Sequence, residues 1–135
     1  MRGSRFVFLS GAANSESRTP TATGVLWVLV SPNNRRLGRS RAHHPTYELC
    51  RRDVLRIQRA HDDLIAVTAP EQWGHWAWRL ELRGEVLAVS ARGYLRQQEC
   101  DYNLRRFLDA LPSAEIAPVV RTVRIGQIST VTGRS

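Results

Sequence analysis

Residues 37–61 read LGRSRAHHPTYELCRRDVLRIQRAH, and residues 87–111 read LAVSARGYLRQQECDYNLRRFLDAL. A shift of 50 positions lays one stretch over the other. Leu37 falls on Leu87, Ser40 on Ser90, Cys50 on Cys100, Asp53 on Asn103, Arg56 on Arg106, Ile57 on Phe107 and Ala60 on Ala110. Upstream, a shift of 51 pairs Val25 with Trp76, Trp27 with Trp78 and Leu29 with Leu80, so the turns differ by one residue. Self-similarity at this period signals two copies of one small unit, each too small to bury a core alone.

Each copy reads as strand, strand, strand, helix. In the first, Phe6–Leu9 is a short apolar run suited to a strand, and residues 10–23, rich in Ser, Thr, Ala and Gly, read as a loop. Val25–Val30 is a second strand, Ser31–Asn34 a turn, and Arg36–Ala42 the returning strand of a hairpin. In the second copy, Leu64–Thr68 is the first strand and Trp76–Leu82 alternates apolar and polar positions. Arg83-Gly84 turns it into Glu85–Ala91. The helices have the clearest period: Cys50, Val54, Ile57 and His61 recur at i, i+4, i+7, i+11, and Cys100, Leu104, Phe107 and Leu111 take the same steps. Thr46 fits the first N-cap, and Pro112 ends the second helix near Leu111. The alternation over Val119–Ile125 fits an added edge strand, followed by a loosely held polar end. The expected architecture is α+β: two tandem β-β-β-α repeats (5–61 and 62–112) forming one compact domain over 5–118. The two would be related by a pseudo-two-fold, with an antiparallel sheet, two packed helices and a tail over 119–135.

The segments Leu26–Asn33 with Leu37–Ser40, and Trp78–Gly84 with Val86–Tyr94, resemble the YegP-like family of small proteins with one or two such copies. Together with the helices, the resemblance spans most of residues 5–111. The chain departs from that pattern in its long first loop, in His43-His44-Pro45 and in its tail. The resemblance implies an α+β fold of paired sheet and packed helices. Single-copy members pair as dimers, so it also implies an internal pseudo-dimer here. It implies no biochemical activity and assigns no functional residue.

Of the 135 residues 42% are hydrophobic, enough for a core without staples, and no run is long enough to span a bilayer. The opening apolar stretch Phe6–Leu9 is too short for a secretion signal, so a cytoplasmic location is expected. All 20 basic residues are Arg, and the net charge of +8 favours polyanionic partners. The charge is uneven. Residues 1–60 hold 11 Arg against 3 acids, whereas residues 61–120 hold 6 Arg against 9 acids. Selection for guanidinium, which contacts phosphate in a flat, bidentate way, is one reading of the absent Lys, but the abundance of Ala and Val favours the codon bias of a GC-rich genome.

Catalytic and metal signatures are absent from the sequence. Cys50 and Cys100 read as small buried residues on helix stripes and not as a disulfide. Adjacent strand residues such as His43 and His44 point to opposite faces, so this pair reads as loop and not as a metal grip. His61 reads as a half-buried core histidine, and Asp62-Asp63 as turn chemistry. Ser40 and Ser90 lack a nucleophile elbow, and no Gly-rich phosphate loop follows a strand. No catalytic residue, metal or cofactor is therefore expected.

The functional candidate is the basic surface. Arg52, Arg56 and Arg59 recur on one face of the first helix, opposite the apolar stripe, and Arg35, Arg36 and Arg39 come from the preceding hairpin. These six read as a phosphate-tracking patch for nucleic acid or another polyanion such as an acidic protein, on a chain that is a monomer or a weak homodimer. Solvated, functionless helix charge is the plainer alternative. Trp27 and Trp78 correspond and read as core. Trp73, without a counterpart, reads as a surface aromatic able to stack on a base. A different reading is an accessory module that binds a protein partner along an open sheet edge.

Overall fold

The computed structural model describes residues 3–12 and 24–124. Seven strands, β1 (Arg5–Ala12), β2 (Val25–Val30), β3 (Arg36–Ser40), β4 (Ile65–Pro70), β5 (Trp76–Leu82), β6 (Glu85–Ser90) and β7 (Glu115–Arg124), form one sheet in the order β4-β5-β6-β3-β2-β1-β7. Helix α1 (Tyr47–Arg59) follows β3, and α2 (Gln97–Ala110) follows β6. The class is α+β, as the patterning predicted. Most of the expected loop over residues 10–23 lies outside the described residues, as does the chain beyond Arg124, but Ser10–Ala12 continue β1.

Two expectations need correction. The sheet is mixed: β1 pairs antiparallel with β2 but parallel with β7, from Arg5↔Glu115 to Ala12↔Arg124. The last strand also starts at Glu115, before the expected Val119, so a boundary at residue 118 would fall inside β7. Pro118 reads locally as a break because it cannot donate to a ladder. Here the strand bulges past it: Phe6 pairs with Ile116, and the next partner of β7 is Phe8 with Val120. The Tyr47 hydroxyl donates to the Ala117 carbonyl oxygen at 3.0 Å and ties the bulge to α1.

Local chemistry explains the elements. Thr46 Oγ1 accepts from the Leu49 amide at 3.2 Å, capping α1 as its sequence position predicts. Arg83 and Gly84 both take left-handed backbone (φ 52° and 86°), the conformation a two-residue hairpin needs to match strand twist. Both hairpins carry a bulge, at Leu29/Val30 opposite Arg36–Gly38 and at Leu80/Glu81 opposite Val86–Ala88. Leu37 and Leu87, one inside each bulge, both join the main core.

That core lies between one sheet face and the two helices. Phe6, Phe8, Trp27, Leu29, Val54, Ile57, Trp78, Leu80, Phe107 and Leu111 are fully buried in it. The Phe107 ring sits 4.9 Å from Trp78 and 6.2 Å from Trp27, so one side chain of α2 touches both tryptophans. Each indole also needs a partner for its N–H. Trp27 Nε1 donates to Asp53 Oδ2 at 2.8 Å, and Trp78 Nε1 donates to Asn103 Oδ1 at 2.6 Å. The Trp27 and Trp78 amides donate to Ser40 Oγ and Ser90 Oγ at 3.2 and 3.3 Å. Leu9, Leu26, Val28 and Val30 form a second buried cluster that includes no helix residue, so β2 is buried on both faces.

Gly38 makes the central contact possible. A Cβ there would lie 2.6 Å from Trp78 Cη2 and 2.7 Å from Phe107 Cδ2. Both rings are buried and cannot retreat, so Gly38→Ala is expected to destabilise the fold by about 1–3 kcal/mol, read from the midpoint of urea unfolding.

Candidate anion-binding surface

The six arginines singled out in the sequence do not form one patch. Arg52, Arg56 and Arg59 lie exposed on the outer face of α1, as their spacing predicts. Arg56 is occupied: its Nη2 and Nη1 donate to Glu85 Oε1 and Oε2 at 2.9 and 3.2 Å. That bidentate bond pushes the Glu85 carboxyl below, and the Arg56 guanidinium above, their ordinary values. Arg35 and Arg36 stand at the start of β3, and Glu85 at the start of β6. These two strands pair antiparallel, so the groups lie at opposite ends of the sheet centre. Arg39 pairs across β2 with Val28, a residue of the cluster without helix contacts, and so faces away from the helices.

The hairpin arginines gain other neighbours. Arg35, Arg36, Arg92 and Arg106 line a groove of about 670 Å³ between the β2–β3 turn and α2, together with Tyr94, Tyr102 and Glu99. The turn is built by Ser31: its amide donates to the Arg35 carbonyl at 2.8 Å, and its Oγ accepts from the Arg35 amide at 3.1 Å. Asn34 takes the left-handed φ of 66° that its residue type tolerates. The far wall comes from α2, where Gln98, Tyr102 and Arg106 share a face at i, i+4, i+8. Arg92 lies 4.9 Å from the centre of the Tyr94 ring, and Arg106 lies 5.9 Å from that of Tyr102. Burial raises the Tyr94 hydroxyl above its ordinary value, and the neighbouring Arg92 pulls the other way.

A second concavity of about 540 Å³ is lined by Arg39, Arg41, Arg79, Arg92 and Glu71. Arg79 bonds Glu81 at 2.6 Å, while the half-buried Arg39 donates to the Ser40 carbonyl at 3.2 Å. Its guanidinium is held below its ordinary value by burial first and by Arg41 second. Arg92 lines both concavities. Among the described residues, Arg35, Arg36, Arg39, Arg41, Arg92 and Arg106 have no carboxylate within 4.0 Å; the ion pairs present are His44–Asp53, Arg56–Glu85, His61–Asp62 and Arg79–Glu81.

Trp73 is 90% exposed, on a 3-10 turn (Gln72–Gly74) with φ 70°. Its neighbours Pro70 and Glu71 border the second concavity. His44 does more than lead into α1. Its Nε2 lies 3.2 Å from the Asp53 oxygen that holds Trp27, and its backbone bridges Val25 at 2.7 Å in both directions. His43 is exposed, and His61 is half-buried with Nδ1 2.8 Å from the Gln58 carbonyl. Among the described residues, no three His, Cys, Asp or Glu side chains cluster as a metal site would require. The sequence reading missed Arg92 and Arg106. Arg106 was visible as the counterpart of Arg56, but its place depends on which turn α2 meets.

The fold recurs among solved structures. The chain is similar to the solution structure of yegP from E. coli, a protein of unknown function, with a TM-score of 0.64 and 10% identity over 93% of this chain and 97% of that one. It is also similar to the UPF0339 protein SO3888 from Shewanella oneidensis, with a TM-score of 0.59 and 7% identity over 89% and 92%. At such identities the likeness establishes the fold, which is YegP-like as the hairpin segments anticipated. No protein-family model and no curated relative matches the chain.

The cysteines are buried and unpaired with each other. Burial, aided by Asp53, pushes the Cys50 thiol up from 9.0 to about 12; burial, aided by Asp101 and Glu71, pushes Cys100 up to about 11. A thiol held protonated is a poor nucleophile. Iodoacetamide at pH 8 is therefore expected to leave both cysteines unmodified in the folded chain and to alkylate both in urea, read by mass spectrometry. Because the unfolded thiols ionise first as pH rises from 9, the folded state binds more protons in that range, and stability is expected to fall above pH 9.

Proposed function

We propose that this chain is a non-catalytic, cytoplasmic binding module that contacts nucleic acid or another polyanion through the arginines of its first hairpin. The position of Arg92 carries this reading. Through it, Arg39 and Arg41 on the helix-free face join Arg35, Arg36 and Arg106 in the groove, a run of six guanidinium groups that outnumbers the lining carboxylates Glu71 and Glu99 and makes no ion pair among the described residues. Such a run attracts a chain of phosphates and releases counterions when it binds. Arg52 and Arg59 on α1 line neither concavity, and the exposed Trp73 offers a face for base stacking.

We read the architecture as two tandem β-β-β-α repeats about a pseudo-two-fold, a pseudo-dimer within one chain that acts as a monomer or weak homodimer. Support comes from the centre of the sheet, where Gly38↔Ser90 and Ser40↔Ala88 are pairs that the 50-residue shift exchanges. The matching Trp27–Asp53 and Trp78–Asn103 bonds support it too. The alternative, a protein partner added along a sheet edge, is favoured by Val119, 63% exposed on β7, which among the described residues pairs with β1 alone.

Anisotropy of a labelled single-stranded oligonucleotide tests the polyanion reading. The expected log–log salt slope is roughly −3 if about four arginines each neutralise one phosphate. Arg36→Gln with Arg39→Gln should make the slope shallower by roughly 1 or more, and Arg59→Gln should leave it nearly unchanged. Affinity that stays flat from low to high salt overturns the proposal, and capture of a partner by β7 would then take its place.

A further inference from the structure

The 50-residue shift sets two pairs of positions side by side: 35 with 85, and 56 with 106. At the α1 end of the sheet these positions hold Arg56 and Glu85, which close on each other in a bidentate ion pair. At the α2 end they hold Arg35 and Arg106. Both side chains line the same groove, both are cationic, and neither has a carboxylate within 4.0 Å among the described residues. The counterpart of Glu85 is missing from the α2 end: Glu99 lines the groove there but forms no ion pair with Arg35 or Arg106 among the described residues, and the groove is open.

We infer that the groove between the β2–β3 turn and α2 seats one nucleotide unit, its phosphate between Arg35 and Arg106 and its base against the ring of Tyr102. The inference rests on the polyanion reading and names the ligand of that same surface. Two oxygens of a tetrahedral phosphate accept a guanidinium fork side by side, as the two oxygens of the Glu85 carboxylate do from Arg56, and a third phosphate oxygen remains for the second guanidinium group. Arg36 and Arg92 stand by for the remaining phosphate oxygens. Tyr102 is 65% exposed, one helical turn before Arg106 on α2, and gives a base a flat face beside the phosphate. Gln98, a turn earlier, carries both a donor and an acceptor for a base edge. A volume of about 670 Å³ suits a ligand of this size. The same chemistry is offered by a free mononucleotide and by one residue of a single strand.

Calorimetry on the full chain at low salt, with AMP, adenosine and inorganic phosphate as separate probes, decides the matter. AMP is expected to bind about tenfold or more tightly than either fragment, because phosphate and base contacts add. Arg35→Glu copies the arrangement of the other end, where position 85 is Glu. It should keep the fold by pairing with Arg106 and weaken AMP by about tenfold or more. Arg59→Glu makes the same charge change on the outer face of α1 and should shift AMP affinity by no more than about twofold. Tyr102→Ala should weaken AMP and leave inorganic phosphate unchanged. AMP binding no tighter than phosphate, or binding that survives Arg35→Glu, overturns the inference.

The oligonucleotide assay separates the two readings. If the oligonucleotide binds with a salt slope while AMP fails, the nucleotide site falls and the polyanion reading stands. If AMP binds and the oligonucleotide does not, the site stands with a free nucleotide as its source, and the nucleic-acid reading falls.

Discussion

The contact on which the rest depends is the Phe107 ring against Trp27 and Trp78, over the bare backbone of Gly38. Each of these three large rings buries about 150–250 Å². Their geometry is fixed by polarity as well as by shape. A buried indole N–H without a partner is costly, so Asp53 and Asn103 must face the sheet. Each helix is thereby locked in rotation: once Asn103 and Phe107 face inward, Tyr102 and Arg106 are turned toward the groove. The candidate binding surface is thus a by-product of the way the core is packed.

The sheet distributes charge in a way that the helices alone do not. Strand alternation sends Arg39 to the face opposite α1 and α2, while the turn before β3 keeps Arg35 and Arg36 at the mouth of the groove. The short crossing from β6 to α2, pinned where Tyr94 and Trp76 exchange backbone bonds of 2.6 and 2.8 Å, places Arg92 between the two concavities. A guanidinium at that corner belongs to both surfaces. Glu85 meanwhile removes Arg56 from the free positive charge. Of the four arginines of α1, Arg51, Arg52 and Arg59 make no ion pair among the described residues.

Much of this was legible in the residues and some was not. The alternation over Trp76–Leu82 and the stripe Cys50, Val54, Ile57 reported strand and helix directly, because one-sided burial imposes periods of two and 3.6. The likeness of residues 37–61 to 87–111 placed Asp53 with Asn103, and the upstream shift of 51 placed Trp27 with Trp78. It left open that each tryptophan bonds its own polar residue, 26 and 25 positions away. Helical spacing put Arg52, Arg56 and Arg59 on one face, yet no local pattern announced Glu85 as the partner of Arg56. β7 was the hardest to read. Pro118 resembles a terminator, and a parallel partner at the far end of the chain leaves no trace in local periodicity.

Sequence alone determined the α+β class, the helix faces, the hairpin turns and the excess of guanidinium, since each is settled by neighbours within a few residues. Only the tertiary structure decided which arginines meet. Charges on different elements share a surface according to strand order, bulges and the rotation of α2. Those are set by how Phe107 and the two tryptophans fill one buried space, a fit among side chains drawn from both halves of the chain.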